Sequence, residues 1–128
     1  MRQFEQKSGT VAEEFNQLAL RIPNRTAIIC HQKSWTFEQL RQFVNRVSNV
    51  FYSRGYRKNE RIALFMDSRR EFIGMWLGLS RIGLVPALIN SKIKHQWLVH
   101  SLHIVDCQTL VYSSELADGE LIHNKNLN

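Results

Sequence analysis

The sequence predicts an α/β fold, a partial and mainly parallel βαβαβ sheet with flanking helices. Three observations predict it. The run 61–66 is unbroken and apolar after its arginine, the character of a strand buried on both faces. Helix-like and strand-like stretches then alternate: 70–82, 85–89, 93–104 and 109–112. That alternation leads to right-handed crossovers and a parallel sheet. Two helices and a hairpin come before it.

Each element has its own local warrant. Thr10 with Glu13 makes a capping box, in which the hydroxyl accepts from a free amide and the carboxylate reaches back. Val11, Phe15, Leu18, Ala19 and Ile22 then recur at helical spacing. Pro23 stops that helix, because the residue before a proline is driven out of helical geometry. The run 26–30 is β-branched and apolar, and 34–36 pairs with it as a hairpin with Gln32 and Lys33 in the turn, although the turn lacks Asn-Gly or Asp-Gly. Thr36 with Gln39 is a second capping box. Leu40, Phe43, Val44, Val47 and Phe51 form one apolar face, Arg41, Gln42, Arg46 and Asn49 lie mostly on the other, and Gly55 supplies a left-handed stop.

Ser68 with Glu71 is a third capping box, and Gly83 ends the helix it opens. That helix, 70–82, is apolar nearly all round, so it needs cover on several sides. Gly74 and Gly78 lie on one side of it and admit a second backbone at close range. In the strand 85–89, Pro86 is tolerable only near the start or at an edge. The helix 93–104 carries Trp97, Leu98, Leu102 and Ile104. The domain reading is a polar lead-in at 1–9, a partial domain at 10–117 and a polar, patternless, disordered tail at 118–128.

The chain has 128 residues, 44% apolar and 22% charged, which is globular composition and excludes collagen-like, coiled-coil and disordered classes. The net charge of +6 favours anionic partners. Arg41, Arg46, Arg54, Arg57, Lys58 and Arg61 are spread over a helix and its exit loop, a pattern that favours a solvated face over a binding stripe. No RNA- or DNA-binding signature accompanies them, so nucleic acid is not an expected partner. Cys30 and Cys107 stand in apolar, strand-like contexts without CxxC or zinc spacing, and read as buried reduced thiols. The amino terminus lacks the apolar core of a signal peptide. The longest apolar stretch, 72–89, has nine Leu, Ile, Val or Phe residues, together about −3 to −5 kcal/mol for insertion. Arg81 takes back about 2.5–3.5 kcal/mol, and Gly83 splits the stretch into helix and strand. A transmembrane span is therefore not expected.

Candidate chemistry is sparse. The turn Asp67-Ser68-Arg69-Arg70 has no glycines to bring a phosphate to the backbone. A capped helix start with exposed arginines describes it better than an anion site. His100 and His103 share a helix face, but His95 points elsewhere and no carboxylate lies between them, so His100 reads as a partly buried, hydrogen-bonded imidazole rather than a zinc ligand. Ser113, Ser114 and Glu115 follow the last parallel strand, at the end where ligands bind, without a nucleophile elbow or a spaced base. Trp35, Trp76 and Trp97 read as core or rim aromatics.

One stretch is far more specific than composition. Ile62-Ala63-Leu64-Phe65-Met66-Asp67-Ser68-Arg69-Arg70-Glu71-Phe72-Ile73-Gly74-Met75-Trp76-Leu77-Gly78-Leu79 continues through Gly83 to Ala87-Leu88-Ile89-Asn90. It resembles the early βαβ segment of the long-chain fatty acid transport proteins, also called very-long-chain acyl-CoA synthetases, within the adenylate-forming AMP-dependent synthetases. Trp35-Thr36-Phe37 with Leu40, Asn45-Arg46-Val47, Leu98-Val99-His100-Ser101-Leu102 and Ser114-Glu115-Leu116 fit as well, so the resemblance covers about 11–117. Ser68 stands where that family usually has Asn, and Pro86 where Ala is usual.

The resemblance implies a two-step ATP-dependent ligase, in which fatty acid and ATP give an acyl-adenylate that CoA then captures, with magnesium as a cofactor. It implies a membrane-associated protein on the cytoplasmic side of the endoplasmic reticulum or plasma membrane, with fatty acid and CoA as partners. The family's phosphate loop ending in Pro-Lys, its later nucleotide motifs and its adenylation lysine do not occur in this sequence. No catalytic, cofactor-binding or metal residue can therefore be carried over to a position here. The expectation is an amino-terminal fragment, inactive by itself. The alternative is a non-catalytic interaction or membrane-surface module that associates with full-length relatives or with an anionic membrane. A fragment would leave about five large side chains of 70–82 uncovered, forfeiting about 8–15 kcal/mol, which rivals the ~5–15 kcal/mol stability of a domain.

Overall fold

The computed structural model describes residues 11–66, 70–89, 97, 100, 101, 103 and 106–112, together with the backbone of 122–124. In chain order the elements are α1 (Val11–Arg21), β1 (Thr26–Cys30), β2 (Lys33–Thr36), α2 (Phe37–Ser53), β3 (Arg61–Phe65), α3 (Arg70–Arg81), β4 (Val85–Leu88), β5 (Thr109–Tyr112) and β6 (Ile122–Asn124). The strands form a two-stranded hairpin and a four-stranded sheet of order β4-β3-β5-β6. β3 pairs parallel with both β4 and β5, as the alternation of the sequence predicts.

β3 is buried on both faces because it is an inner strand of the sheet. Ile62, Leu64 and Met66 join Val111 on one face, beneath Val47 and Phe51 of α2 and Met75 and Leu79 of α3. Ala63 packs on the other face with Ile89, Cys107 and Leu110. β4 is the sheet's edge, which accounts for Pro86. The amides of Val85 and Ile89 donate inward to Glu60 and Leu64 (2.9 and 3.0 Å). Alternation therefore turns the Pro86 nitrogen to the open side, where no donor is needed.

α2 begins on the predicted capping box. Thr36 Oγ1 accepts from the Gln39 amide at 3.1 Å, and Gln39 Oε1 accepts from the Thr36 amide at 2.8 Å. Thr36→Ala is expected to lower stability by about 1 kcal/mol, read as a lower urea midpoint at unchanged slope. In the same turn Glu38 takes a forked pair from Arg41 (2.9 and 2.8 Å) and one bond from Gln42 (3.0 Å). The Arg41 bond holds the Glu38 carboxyl below its usual range. At the far end Gly55 adopts φ +88°, the left-handed geometry expected of the stop.

α3 is better covered than its apolar circumference suggests for a fragment. Gly74 and Gly78 lie against α2, so closely that a Cβ at Gly78 would sit 2.6 Å from Val47 Cγ1. Ser48 Oγ donates to the Gly78 carbonyl at 2.8 Å across this contact. Met75 and Leu79 face the sheet. Ile73 and Leu77 meet Leu40, Val44, Phe15, Ala27, Ile28 and Trp35. Of the large α3 side chains only Trp76, 46% exposed, is left out. The expectation of five uncovered side chains is corrected: α1 and the hairpin supply the third side.

Four further readings are adjusted. The hairpin turn is His31-Gln32, both at positive φ (51° and 66°), with Cys30 paired to Lys33. It is therefore a two-residue turn one position earlier than predicted, a geometry that suits the right-handed twist of paired strands. On α1 the buried small residues are Ala12 and Ala19, while Val11 is exposed. Cys107 is buried, but Cys30 is only half-buried, and neither is in a disulfide. Within 118–128, read as a tail, the backbone of Ile122–Asn124 pairs antiparallel with β5. A three-residue edge strand needs only a neighbour's free backbone groups, so it leaves no apolar pattern in the sequence. Thr10, Ser68 and most of 93–104 lie outside the described residues, although Trp97, His100, Ser101 and His103 are helical.

Candidate functional site

The topology defines one rim where chemistry is expected. Ligands of parallel sheets bind outside the carboxyl ends of the strands. Here those ends are Phe65 of β3 with Met66 after it, Leu88 of β4 with Ile89 after it, and Tyr112 of β5. Their side chains are apolar except for the Tyr112 hydroxyl. Ser68, Arg69, Ser113, Ser114 and Glu115, flagged at this rim by the sequence, lie outside the described residues.

Arg70 opens α3 at the same rim and is engaged by the hairpin. Its guanidinium lies 4.6 Å from the centre of the Trp35 ring. Its Nη1 donates to the Ser34 carbonyl at 3.0 Å, and its Nε lies 3.6 Å from Glu71. Trp35 in turn lies 5.0 Å from Phe43 on α2. The expectation of an exposed arginine at this helix start is corrected: Arg70 is half-buried and ties α3 to the hairpin. Its role escaped the sequence because Ser34 is 36 positions away and no local pattern links the two.

The other candidates fall apart in space. His100 is exposed rather than partly buried, and its ring meets Trp97 edge-on at 6.3 Å. His103 is exposed too. Among the described residues no three His, Cys, Asp or Glu side chains are placed to hold a metal ion. The Cys107 thiol is pushed above its usual range, chiefly by burial, with Asp106 adding to the effect and Arg61 opposing it. It therefore stays protonated and unreactive at neutral pH.

Two shallow depressions lie away from the rim. One, of about 360 Å³, sits at the amino ends of β3 and β5, lined in part by Tyr56, Glu60, Arg61, Asp106 and Thr109. The Tyr56 hydroxyl and Thr109 Oγ1 are 3.0 Å apart there. The Arg61–Asp106 pair is long, at 3.9 Å, and largely solvated, so it contributes little. The second, of about 370 Å³, is a groove between α2 and the end of α3 lined by Asn45, Ser48, Asn49, Tyr52, Arg81 and Ile82. Neither contains a nucleophile beside a base. Among the described residues no helix is long and apolar enough to cross a membrane.

Comparison with known proteins agrees with the fold. The chain is 33% identical over 119 residues to long-chain fatty acid transport protein 1 of Rattus norvegicus, covering 91% of this chain and 18% of that protein. It is 34% identical over 86 residues to crotonobetaine/carnitine–CoA ligase of Escherichia coli O17:K52:H18, covering 61% of this chain and 17% of the ligase. The chain thus spans about 18% of the length of the rat transport protein. Among solved structures, the NpsA N-terminal subdomain of Klebsiella oxytoca, in complex with anthranilyl-AMSN, superposes with a TM-score of 0.76 at 21% identity, over 87% of this chain and 29% of that one. The inhibitor-bound N-terminal domain of FACL13 from Mycobacterium tuberculosis does so at 0.75 and 22%, over 82% and 27%. These structural likenesses bear on fold alone. The family profile described as AMP-binding enzyme matches residues 15–127, nearly the whole length, and the chain belongs to that family.

Proposed function

We propose that this chain is the first βαβ layer of the large domain of a long-chain or very-long-chain fatty acid–CoA ligase that couples ATP-dependent acyl-CoA formation to fatty acid uptake. It is inactive by itself and works on the cytoplasmic side of the endoplasmic reticulum or plasma membrane. The observation that carries the reading is the similarity to a fatty acid transport protein along 91% of the chain. In the ligase, ATP and magnesium would supply the activated acyl phosphate bond and CoA the acceptor thiol. The described residues do not fit those groups: the rim side chains are apolar but for one hydroxyl, and Arg70 is held by the hairpin. No step of the reaction is therefore assigned to a residue here, and the contribution of the chain is a wall of the domain.

The test is a chimera in which this chain replaces the matching stretch of the rat transport protein. Retained formation of long-chain acyl-CoA is expected, and a folded chimera without that activity would overturn the reading. The chain alone should release no pyrophosphate with ATP and fatty acid. Release that needs both would show that it is not inactive.

A further inference from the structure

Among the described residues, five exposed cations gather at one pole. Between Glu38 and Glu60 the sequence has no acidic residue but carries Arg41, Arg46, Arg54, Arg57 and Lys58. Between Glu71 and Asp106 the basic side chains are again unopposed, Arg81 among them. α2 feeds β3 and α3 feeds β4, and these strands are parallel with Arg61 opposite Val85, so both helices end at the amino side of the sheet. The two exit loops are joined there, with the Asn59 amide donating to the Gly83 carbonyl at 2.8 Å. The Lys58 stem lies against Gly83. This pole gathers Arg54, Arg57, Lys58, Arg61 and Arg81, all exposed, against the carboxylates of Glu60 and Asp106.

Helix dipoles account for only part of the cluster: Arg81 is in the last turn of α3 and Arg54 is the C-cap of α2. Arg57 and Lys58 lie past its cap, where the dipole effect has faded. Beside the cations runs the groove of about 370 Å³, walled by Asn45, Asn49 and Arg81. Arg81 Nη1 donates to Asn45 Oδ1, both residues lining the groove. Tyr52 also lines the groove and is 74% exposed, an amphipathic ring at the water boundary.

We infer that this pole, formed by Arg54, Arg57, Lys58 and Arg81 around Tyr52, is a docking face for an anionic phospholipid surface, with the groove seating a headgroup phosphate. Clustered cations beside an exposed aromatic ring are the combination that anionic bilayers attract. Docking by the amino ends of the strands leaves the carboxyl rim pointing away from the lipid. The inference rests on the membrane placement proposed above. It is separable from it, since cell fractionation reads the placement whereas vesicle binding by variants reads the face.

The experiment is flotation of the full chain with phosphatidylcholine vesicles, with and without phosphatidylserine, at low and high salt. Binding that needs phosphatidylserine and falls with salt is expected. Each cation removed from a lipid-facing patch should weaken binding about fivefold. The triple variant Arg54→Gln, Arg57→Gln, Lys58→Gln should therefore lose about a hundredfold. The matched control is Arg21→Gln, Arg25→Gln, Lys33→Gln. These exposed residues lie toward the start of α2, where the Arg25 carbonyl accepts from Phe37. That is about 25 Å from the other end of the helix, beyond a Debye length of about 10 Å. The control should bind nearly as the unaltered chain does. The double variant Arg54→Gln, Arg57→Gln keeps Lys58 on Gly83 and should show an intermediate loss, with the circular dichroism of every variant unchanged. Equal losses in variant and control, equal binding to neutral vesicles, or capture by soluble polyglutamate in preference to vesicles would each overturn the inference.

Discussion

Phe51→Ala is expected to destabilise the chain by about 3–5 kcal/mol, lowering the urea midpoint by more than about 1 M. Phe51 is 1% exposed and lies where α2 meets the sheet, in contact with the cluster that includes Ile62, Leu64, Leu79 and Val111. Its ring also stacks at 5.0 Å on Tyr56, whose hydroxyl reaches Thr109 at the start of β5. Removing the ring leaves a cavity walled by a helix and two strands that cannot close in without breaking their ladders. The cost is large against the ~5–15 kcal/mol that a domain has in hand. Phe51→Leu, which keeps most of the volume, should cost much less. Equal midpoints for the alanine variant and the unaltered chain would show that α2 does not rest on the sheet as described.

Gly78→Ala is the second large effect, and its sign is informative. On an unpartnered helix, replacing glycine by alanine would stabilise by about 1 kcal/mol. Here the new methyl would sit 2.6 Å from Val47 Cγ1, 2.7 Å from Val47 Cβ and 3.0 Å from the Val44 carbonyl oxygen. Two of these neighbours belong to or adjoin the backbone of α2, so relief requires the helices to part, and with them the Ser48–Gly78 hydrogen bond. Overpacking of this kind costs about 1–3 kcal/mol or more, so a net loss of about 2 kcal/mol is expected. At Gly74 the three atoms nearest a new Cβ all belong to the ring of Phe43, a side chain rather than backbone. The loss from Gly74→Ala should be smaller. A stabilised Gly78→Ala would mean that the two helices are not in contact there.

Much of the architecture is legible from short-range chemistry. The capping box of Thr36 and Gln39, the stop at Gly55 and the uninterrupted run 61–66 each involve residues within a few positions of one another, and each predicted its element. The restriction on Pro86 was legible in the same way: a proline within a strand must sit at an edge, and β4 is one. The turn at His31-Gln32 shifted by one residue because neither side chain advertises positive φ as Asn-Gly would. The candidate site was less legible. His100 lies next to apolar residues in the chain yet is exposed, since neighbours along the sequence do not decide which side of a helix meets the protein.

What the sequence determined by itself is the order and kind of the elements from α1 to β5, the family, and the absence of a phosphate loop, because caps, periodicity and motifs act over three or four residues or are read as strings; β6 left no such mark. Only the tertiary structure decided that Arg70 is bound by Trp35 and Ser34, that α1 and the hairpin cover α3, and that the cations after α2 meet Arg81 at one pole. Those contacts join residues tens of positions apart. Which partner closes such a contact depends on how the layers stack, a property that no local pattern of residues carries.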